Sequence, residues 1–196
     1  GNNLRILLAA QELATEKIAY PIVIGNTAEI NEKMAKNRLK IPGLTIFDPS
    51  VERESIEKYT ALFYQKMQRS GISTRKAKLS MQDANNIGLM MLESGEADGF
   101  ISGVNSPYKE VLDMAKEIVG LRPCCRYAAG MHIATTKRGT YFLADTTVNS
   151  HPTAEVLECV TVLAYEAVKQ FDVDPVIAIT SYSNFGEYRQ GSPEQV

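Results

Sequence analysis

Apolar residues recur at helical spacing over residues 4–18, and short apolar runs at residues 20–24 and 44–47 have the length of buried parallel strands. Between the two runs, Asn26 stands three positions before Glu29, a spacing that predicts the capped start of a helix. The alternation of strand, helix and strand is typical of a βαβ unit. The first part of the chain is therefore predicted to have an α/β fold.

Helical periodicity dominates the next part of the chain. It predicts helices over residues 51–68, 73–79 and 85–94. The first of these has one apolar face, made by Ile56, Tyr59, Phe63 and Met67. Further on, Ser106 and Pro107 have the chemistry of a helix cap and of a first helical residue, and they predict a helix that ends near residue 119.

Residues 141–155 form the most informative polar segment. They predict a buried strand, a polar turn and a helix that Pro152 begins, with Glu155 in its first turn. The first amides of a helix have no partner within it and lie at the positive end of its dipole, so such a turn can hold an anion. The alternative is that the polar side chains only cap the helix and close the turn.

Two other predicted strands end in similar polar segments. Residues 95–103 predict a turn, a short buried strand and an exit at Ser102 and Gly103, although an ordinary connecting loop is the alternative. Residues 175–180 predict a strand that enters the small polar residues 181–186. In open α/β sheets, ligands bind where such loops converge at the carboxyl ends of the strands.

The polar side chains of these segments have two possible roles. Asp145, at a predicted strand end, either orients its loop by accepting amide hydrogen bonds or contacts a ligand directly. Asn149, Thr153, Ser183 and Asn184 are better candidates for ligand contact, because neutral groups do not repel phosphate.

A β-hairpin is predicted in the second half of the chain. Strand-like alternation covers residues 126–136 and 140–144, and residues 137–139 predict the turn between them. A helix is predicted over residues 153–171.

Composition narrows the possible partners. The 196 residues include 21 Lys and Arg against 23 Asp and Glu, and no basic block stands out. This balance argues against nucleic acid and membrane surfaces as partners. With 44% hydrophobic residues, a chain of this length can build a core without disulfides. The sequence has neither an apolar window long enough for a membrane span nor the layout of a signal peptide, so a cytoplasmic protein is expected.

Cysteine and histidine offer little metal chemistry. Cys124 and Cys125 are adjacent and Cys159 is distant, which indicates reduced thiols in a cytosolic protein and not a metal site. His132 is expected to be a hydrogen-bonded strand residue, and His151 a turn residue.

Several motifs occur in a fixed order over nearly the whole chain. They are Ile-Gly-Asn at residues 24–26, Phe-Tyr at 63–64, Gly-Glu-Ala-Asp-Gly at 95–99, Ser-Gly at 102–103, Asp-Thr-Thr-Val-Asn at 145–149, Pro-Thr-Ala-Glu at 152–155 and Ser-Asn-Phe-Gly at 183–186. Together they resemble the phosphate acetyltransferase and butyryltransferase family. Within that family, the chain is most similar to the C-terminal domain of bacterial NADP-dependent malic enzymes.

The resemblance implies a three-layer α/β/α fold of the isocitrate/isopropylmalate dehydrogenase type. Residues 1–122 would form a first subdomain and residues 123–196 part of a second, with acyl-CoA, and phosphate or acyl phosphate, bound in the cleft of a homo-oligomer. The ligand-binding residues implied are Ser102, Gly103, Asp145, Asn149, Thr153, Ser181, Ser183, Asn184 and Gly186. No metal or further cofactor is expected here, whereas NADP and Mg²⁺ or Mn²⁺ would belong to a fused malic enzyme domain.

Departures from the family pattern argue against transferase activity. In active members the thiol of coenzyme A attacks acetyl phosphate, a carboxylate acts as base, and serine and arginine stabilise the developing charge. The catalytic segment is expected beyond residue 196, so no catalytic residue is assigned, and the chain is expected to be truncated at both ends. Met67 stands where an arginine is expected, and Arg69 points about 200° away around the helix. Asp113 replaces a phosphate-pairing arginine and reverses the local charge.

Three functions follow as hypotheses. The leading one is an acyl-CoA-binding regulatory and oligomerisation domain of an NADP-dependent malic enzyme, in which another domain converts malate to pyruvate. The alternative is an active phosphate acetyl/butyryltransferase. The third is a scaffold with a vestigial pocket that serves only in assembly.

Overall fold

The predicted βαβ unit forms near the N-terminus. In the computed structural model, which describes residues 2–123 and 125–180, helix α1 (Leu4–Thr15) precedes strand β1 (Ile22–Ile24), helix α2 (Thr27–Lys36) and strand β2 (Thr45–Phe47). The two strands are parallel. Asn26 Oδ1 accepts a hydrogen bond from the Glu29 amide at 3.1 Å, which confirms one half of the predicted capping box. The Glu29 carboxylate instead accepts from Asn2.

The strands β1 and β2 face two apolar clusters, because successive residues of a strand point to opposite sides. Val23 is paired in register with Ile46, and both pack in a cluster that includes Leu7 of α1 and Ile30 of α2. Ile24 is paired with Phe47, and both pack in the second cluster.

Four helices build most of the second cluster: α3 (Arg53–Met67), α4 (Thr74–Ser80), α5 (Ala84–Glu93) and α6 (Tyr108–Ile118). A 3₁₀ turn, Gln68–Ser70, follows α3. Local caps start two of these helices: Ser73 accepts from the Lys76 amide at α4, and Asp83 accepts from the Asn85 and Asn86 amides at α5. The predicted apolar face of α3 is confirmed, because Tyr59, Phe63 and Met67 are buried.

The short strand predicted within residues 95–103 does not form. This segment has no regular structure, and Ile101 is 90% exposed. Phe100 is its anchor instead: the ring packs so closely on Gly88 of α5 that a Cβ there would lie 2.4 Å from it. The predicted cap also differs, because Pro107 occupies the N-cap position of α6 and Ser106 is hydrogen-bonded to Asn85.

The predicted hairpin is confirmed. Strand β3 (Met131–Thr136) is antiparallel to β4 (Gly139–Ala144), and Lys137 and Arg138 form the turn between them. Helix α7 (Ala154–Lys169) follows. Phe142 of β4 packs on Phe171 just after α7, with ring centroids 5.4 Å apart.

Three expectations in this region were wrong. Strand β4 is not buried, since Tyr141 and Leu143 are each 49% exposed. Pro152 does not begin the helix, because Thr153 is the N-cap and Ala154 the first residue of α7. Residues 175–180 form no strand, and Val176 is fully exposed. An apolar run alone does not make a strand, because the backbone must also find a pairing partner.

The mixed α/β chain divides into two units, Gly1–Gly120 and Leu121–Val196. The first unit contains the β1–β2 pair and six helices of the described residues, and the second contains the hairpin and α7. None of the helices in the described part of the chain is long and apolar enough to cross a membrane.

Candidate functional site

Asp145 organises the loop that follows β4. Its Oδ1 accepts hydrogen bonds from the amides of Gly130 at 3.0 Å, Thr147 at 3.2 Å and Val148 at 3.1 Å. Its Oδ2 accepts from the amide and the side chain of Asn149, at 2.8 and 2.6 Å. Asp145 therefore orients the loop, as the first of the two sequence-based alternatives proposed, and we refer to residues 145–149 as the Asp145 loop.

The same hydrogen bonds explain the charge of Asp145. Partial burial raises the pKa of its carboxyl group, but the amide hydrogen bonds from Val148, Thr147 and Gly130 outweigh burial and hold the pKa below its usual value. The carboxylate is thus ionised at neutral pH and is already surrounded by donors of its own loop.

Asn149 ties the Asp145 loop to the preceding chain. Its Nδ2 donates to the Ala128 carbonyl at 2.9 Å as well as to Asp145. Both side-chain protons are used within this network, which leaves no side-chain N–H of Asn149 for a ligand. Gly130 completes the packing, because a Cβ at this position would lie 2.6 Å from Thr147 Oγ1.

The start of α7 is partly satisfied by its own side chains. Thr153 Oγ1 accepts from the Val156 amide at 3.4 Å, as a cap does. Glu155, in the first turn as predicted, forms an exposed ion pair with Arg126, with Nη1 and Oε1 2.7 Å apart. The contacts of Thr153 and Glu155 are therefore those of a helix cap and a closed turn, which was the alternative to anion binding.

The two histidines lie where the sequence predicted. His132 is in β3 and its Nδ1 is hydrogen-bonded to Thr146 Oγ1. His151 is in the turn before α7, with its Nδ1 3.1 Å from Ser150 Oγ.

Ser102 and Gly103 lie in a second loop, within the first unit. Ser102 Oγ donates to Asn85 Oδ1 at 2.6 Å, and Asn85 Nδ2 donates to Ser106 Oγ at 3.1 Å. Gly103 has φ +132°, a conformation that favours glycine. We refer to residues 102–106 as the Ser102 loop. Asn85 was not among the predicted site residues, because its two partners are 17 and 21 positions away.

A second strand-end carboxylate, Asp48, was also missed. It follows β2, is buried, and accepts from the Thr27 amide at 2.7 Å and from the Ser50 hydroxyl and amide at 2.6 and 3.0 Å. The hydrogen bond from the Ser50 hydroxyl, followed by those from the Thr27 and Ser50 amides, lowers the pKa of Asp48 to about 2. The Asp-Pro-Ser sequence directly after an apolar strand was the available signal.

Asp48 predicts an acid-dependent loss of stability. Because the folded-state pKa is about 2, below the value of about 4 of an unfolded aspartate, its contribution is present above pH 4 and is lost between pH 4 and pH 2. Asp48→Asn should be less stable than wild type at pH 6 and should lose less stability over that window. Urea unfolding from pH 6 to pH 2 measures this, with the exposed Asp98→Asn as control. Parallel pH profiles for wild type and Asp48→Asn would contradict the assignment.

A groove of about 270 Å³ lies within the second unit beside α7. Free thiols of Cys125 and Cys159 line it, together with Arg126, Glu155 and Glu158. Among the residues that the structure describes, no cluster of three His, Cys, Asp or Glu side chains is arranged to hold a metal ion. The predicted ligand-binding residues Ser181, Ser183, Asn184 and Gly186 lie outside the described residues.

Comparison with known proteins assigns the family. The family model described as phosphate acetyl/butaryl transferase matches residues 1–196. The chain belongs to this family.

Members of two kinds are similar to this phosphate acetyl/butaryl transferase domain. The NADP-dependent malic enzyme of Salmonella typhimurium is 36% identical over 190 residues, which are 95% of this chain and 25% of that protein. The phosphate acetyltransferase of Bacillus subtilis is 30% identical over 197 residues, which are 100% of this chain and 60% of that protein. The chain thus spans only part of either relative.

A solved structure supports the fold. EutD phosphotransacetylase from Staphylococcus aureus superposes with a TM-score of 0.85 over 99% of this chain and 58% of that one, at 21% sequence identity. The similarity establishes a shared mixed α/β fold.

Met67 and Asp113 occupy the two positions at which the family pattern predicts arginine, and one of them is buried whereas the other is exposed. Met67 is 8% exposed and packs in the second apolar cluster with Tyr59 and Phe63. Asp113 lies on α6 with its carboxylate exposed. Neither side chain can pair with a phosphate: one is apolar and buried, and the other is an acid.

Proposed function

We propose that this chain is an acyl-CoA-binding regulatory and oligomerisation domain of an NADP-dependent malic enzyme and lacks phosphate acetyltransferase activity of its own. The observation that carries the proposal is the pair Met67 and Asp113, which replace expected arginines by a buried thioether and an exposed acid. A transferase must bind a dianionic acyl phosphate, and positive charge is the largest source of its affinity and rate.

The relatives support the same choice. The malic enzyme of Salmonella typhimurium is more similar to this chain than the phosphate acetyltransferase of Bacillus subtilis, at 36% against 30% identity. In the proposed whole protein, NADP and a divalent cation, Mg²⁺ or Mn²⁺, act in a separate domain that converts malate to pyruvate. The present domain would then influence that reaction by binding acyl-CoA better in one conformational state than in the other.

The loops support retention of a ligand site. The Asp145 loop and the Ser102 loop are both held by side-chain hydrogen bonds, so each keeps a defined shape in the absence of ligand. A loop that is already ordered loses less conformational entropy when it binds. We propose that Ser102, Gly103, Asn149 and Thr153 contact acyl-CoA, directly or through their backbone, and that Asp145 keeps its loop in shape.

An active phosphate acetyl/butyryltransferase is the second candidate. It is favoured by the family match over residues 1–196 and by the Bacillus subtilis relative, which this chain matches over its whole length.

Titration calorimetry on the full-length protein that carries this domain separates the two candidates. We expect acetyl-CoA to bind, acetyl phosphate to bind at least 100-fold more weakly, and no formation of acetyl-CoA from acetyl phosphate and coenzyme A. Asp113→Arg should strengthen acetyl phosphate binding about tenfold, because it restores a phosphate-pairing cation. Glu117→Arg, the same charge change one turn further along α6, is the control.

Two outcomes would overturn the proposal. Wild-type turnover of acetyl phosphate would establish the transferase instead. Unchanged malate kinetics at saturating acetyl-CoA, in a protein that binds it, would remove the regulatory role. Light scattering of the same sample tests the proposed homo-oligomer, and a monomer would remove the role in assembly.

We also propose that the domain has the three-layer α/β/α architecture of the isocitrate/isopropylmalate dehydrogenase type. The β1–β2 pair supports this, since apolar clusters pack on both of its faces. A crystal structure of the full-length protein with the two sheets covered on one face only would contradict it.

A further inference from the structure

The Ser102 loop is held by side chains and not by its backbone. In the described part of the chain, the backbone hydrogen bonds outside helices and strands stop at Ala97 and resume at Pro107, whose carbonyl accepts from Val111. Between these points, Asn85 bonds both Ser102 and Ser106, and so connects the two ends of a five-residue loop. Asn105, within the loop, also accepts a hydrogen bond from Asn3 Nδ2 at 3.3 Å. Asn85 is thus the side chain that joins the two ends of the loop.

Asn85 is itself well anchored. It is the second residue of α5, and its backbone amide donates to the Asp83 cap at 2.7 Å. Ile87 and Met90, which follow it in α5, are fully buried in the second apolar cluster. The side chain of Asn85 thus attaches an irregular loop to a helix that is packed in the core.

The direction of the hydrogen bonds limits what Ser102 can recognise. A serine hydroxyl has one proton, and Ser102 donates it to Asn85 Oδ1. Toward a ligand, Ser102 Oγ then presents lone pairs, which suit an N–H donor and repel a phosphate oxygen. Ile101 and Val104, beside it in sequence, are 90% and 53% exposed and provide apolar surface.

A ligand chain in which amide groups alternate with methylene groups matches a hydrogen-bond acceptor that lies beside apolar side chains. We propose that Asn85 is a positioning residue that orients Ser102 to accept a hydrogen bond from an amide of the pantetheine arm of acyl-CoA. The inference rests on the proposed acyl-CoA-binding function and assigns one part of that ligand to one loop. It also predicts that Ser102 contributes nothing to phosphate binding.

Asn86 provides a matched control for Asn85. It is the next residue of α5, and its side chain donates to the Ser80 carbonyl at 2.9 Å, away from the Ser102 loop. Asn86→Ala should therefore destabilise the fold without changing ligand affinity. Asn85→Ala should lower the ligand affinity and leave the stability of the fold nearly unchanged.

Two measurements on the full-length protein test the inference. Limited proteolysis without ligand should cut within residues 101–106 about tenfold faster in Asn85→Ala, and at an unchanged rate there in Asn86→Ala. Calorimetry with acetyl-CoA should give about tenfold weaker binding for Asn85→Ala and for Ser102→Ala. The double variant should be no weaker than either single variant, because both act through the same hydrogen bond.

The outcomes are distinguishable. Wild-type protein that binds no acetyl-CoA would overturn the proposed function and the ligand assignment with it. If wild type binds acetyl-CoA and Asn85→Ala binds it equally well, only the role of Asn85 is overturned. The same conclusion follows if the losses of affinity of the two single variants add up in the double variant.

Discussion

Replacement of Tyr59 by alanine should lower the free energy of unfolding by about 3–5 kcal/mol, the usual cost of removing a fully buried aromatic side chain. Tyr59 is 0% exposed, and its ring lies 6.2 Å from that of Phe47, so α3 packs on β2 through this pair. Neighbouring Phe63 and Met67 belong to the same cluster. A cavity at this position would remove contacts from several elements at once.

The hydroxyl group makes a smaller, separable contribution. Tyr59 Oη donates to Glu96 Oε2 at 2.5 Å, and Lys58 Nζ lies 2.6 Å from Glu96 Oε1. Tyr59→Phe should therefore cost only about 1 kcal/mol, because the exposed Glu96 keeps Lys58 and gains water. Urea unfolding of both variants at pH 7 measures the two contributions. Equal losses for Tyr59→Ala and Tyr59→Phe would show that the ring is not part of the core.

Alkaline pH offers an independent check of the Tyr59 contact. Burial, together with the hydrogen bond to Glu96, raises the pKa of Tyr59 above its ordinary value. The unfolded chain then releases this proton at a lower pH than the folded chain, so stability falls as pH rises above about 10. Tyr59→Phe should lack this part of the alkaline loss.

Asp145→Ala should have the second large effect, a loss of about 3 kcal/mol in the stability of the second unit. The substitution removes one acceptor carboxylate from five donor groups, four of them backbone amides. Hydrogen bonds to a charged group are stronger than neutral ones, and partly buried amides without a partner carry a further cost. We expect the Asp145 loop to lose its shape and any ligand affinity that depends on it.

Urea unfolding and hydrogen exchange at residues 145–149 measure this effect. Asp145→Asn should be intermediate, because it keeps one oxygen acceptor but loses the charge. Asp174→Asn is the control, since the side chain of Asp174 is 94% exposed and, among the described residues, forms a surface ion pair with Lys169, so a change of less than about 0.5 kcal/mol is expected. Full stability of Asp145→Ala would mean that the loop is held by other contacts.

Much of the second unit was predictable, and two of the three errors concern its predicted strands. The hairpin turn at Lys137 and Arg138 follows from strand alternation on both sides of it. Burial of β4 did not follow, because the exposure of a strand depends on what packs against each of its faces. Residues 175–180 have an apolar run that suits a strand, but no neighbouring strand pairs with them among the described residues. Local pattern predicts that a segment can be a strand, whereas pairing decides that it is one.

For the candidate site, the sequence identified the segments but not their internal roles. Asp145 and Ser102 were both named, and an orienting role for Asp145 was one of two alternatives. The hydrogen-bond partners that define those roles, Gly130 for Asp145 and Asn85 for Ser102, lie 15 and 17 positions away. No spacing rule covers such distances in sequence, and so Asn85 was found only by its contacts.

The sequence by itself determined the α/β class, the capped helix starts at Asn26 and Ser73, and the resemblance to the phosphate acetyltransferase family. These features depend on side-chain periodicity and on contacts within four residues, which are the same in any tertiary arrangement. Only the tertiary structure decided which polar groups meet. A carboxylate or an amide becomes a loop organiser when folding brings distant donors to it, and that arrangement is set by how the whole core packs.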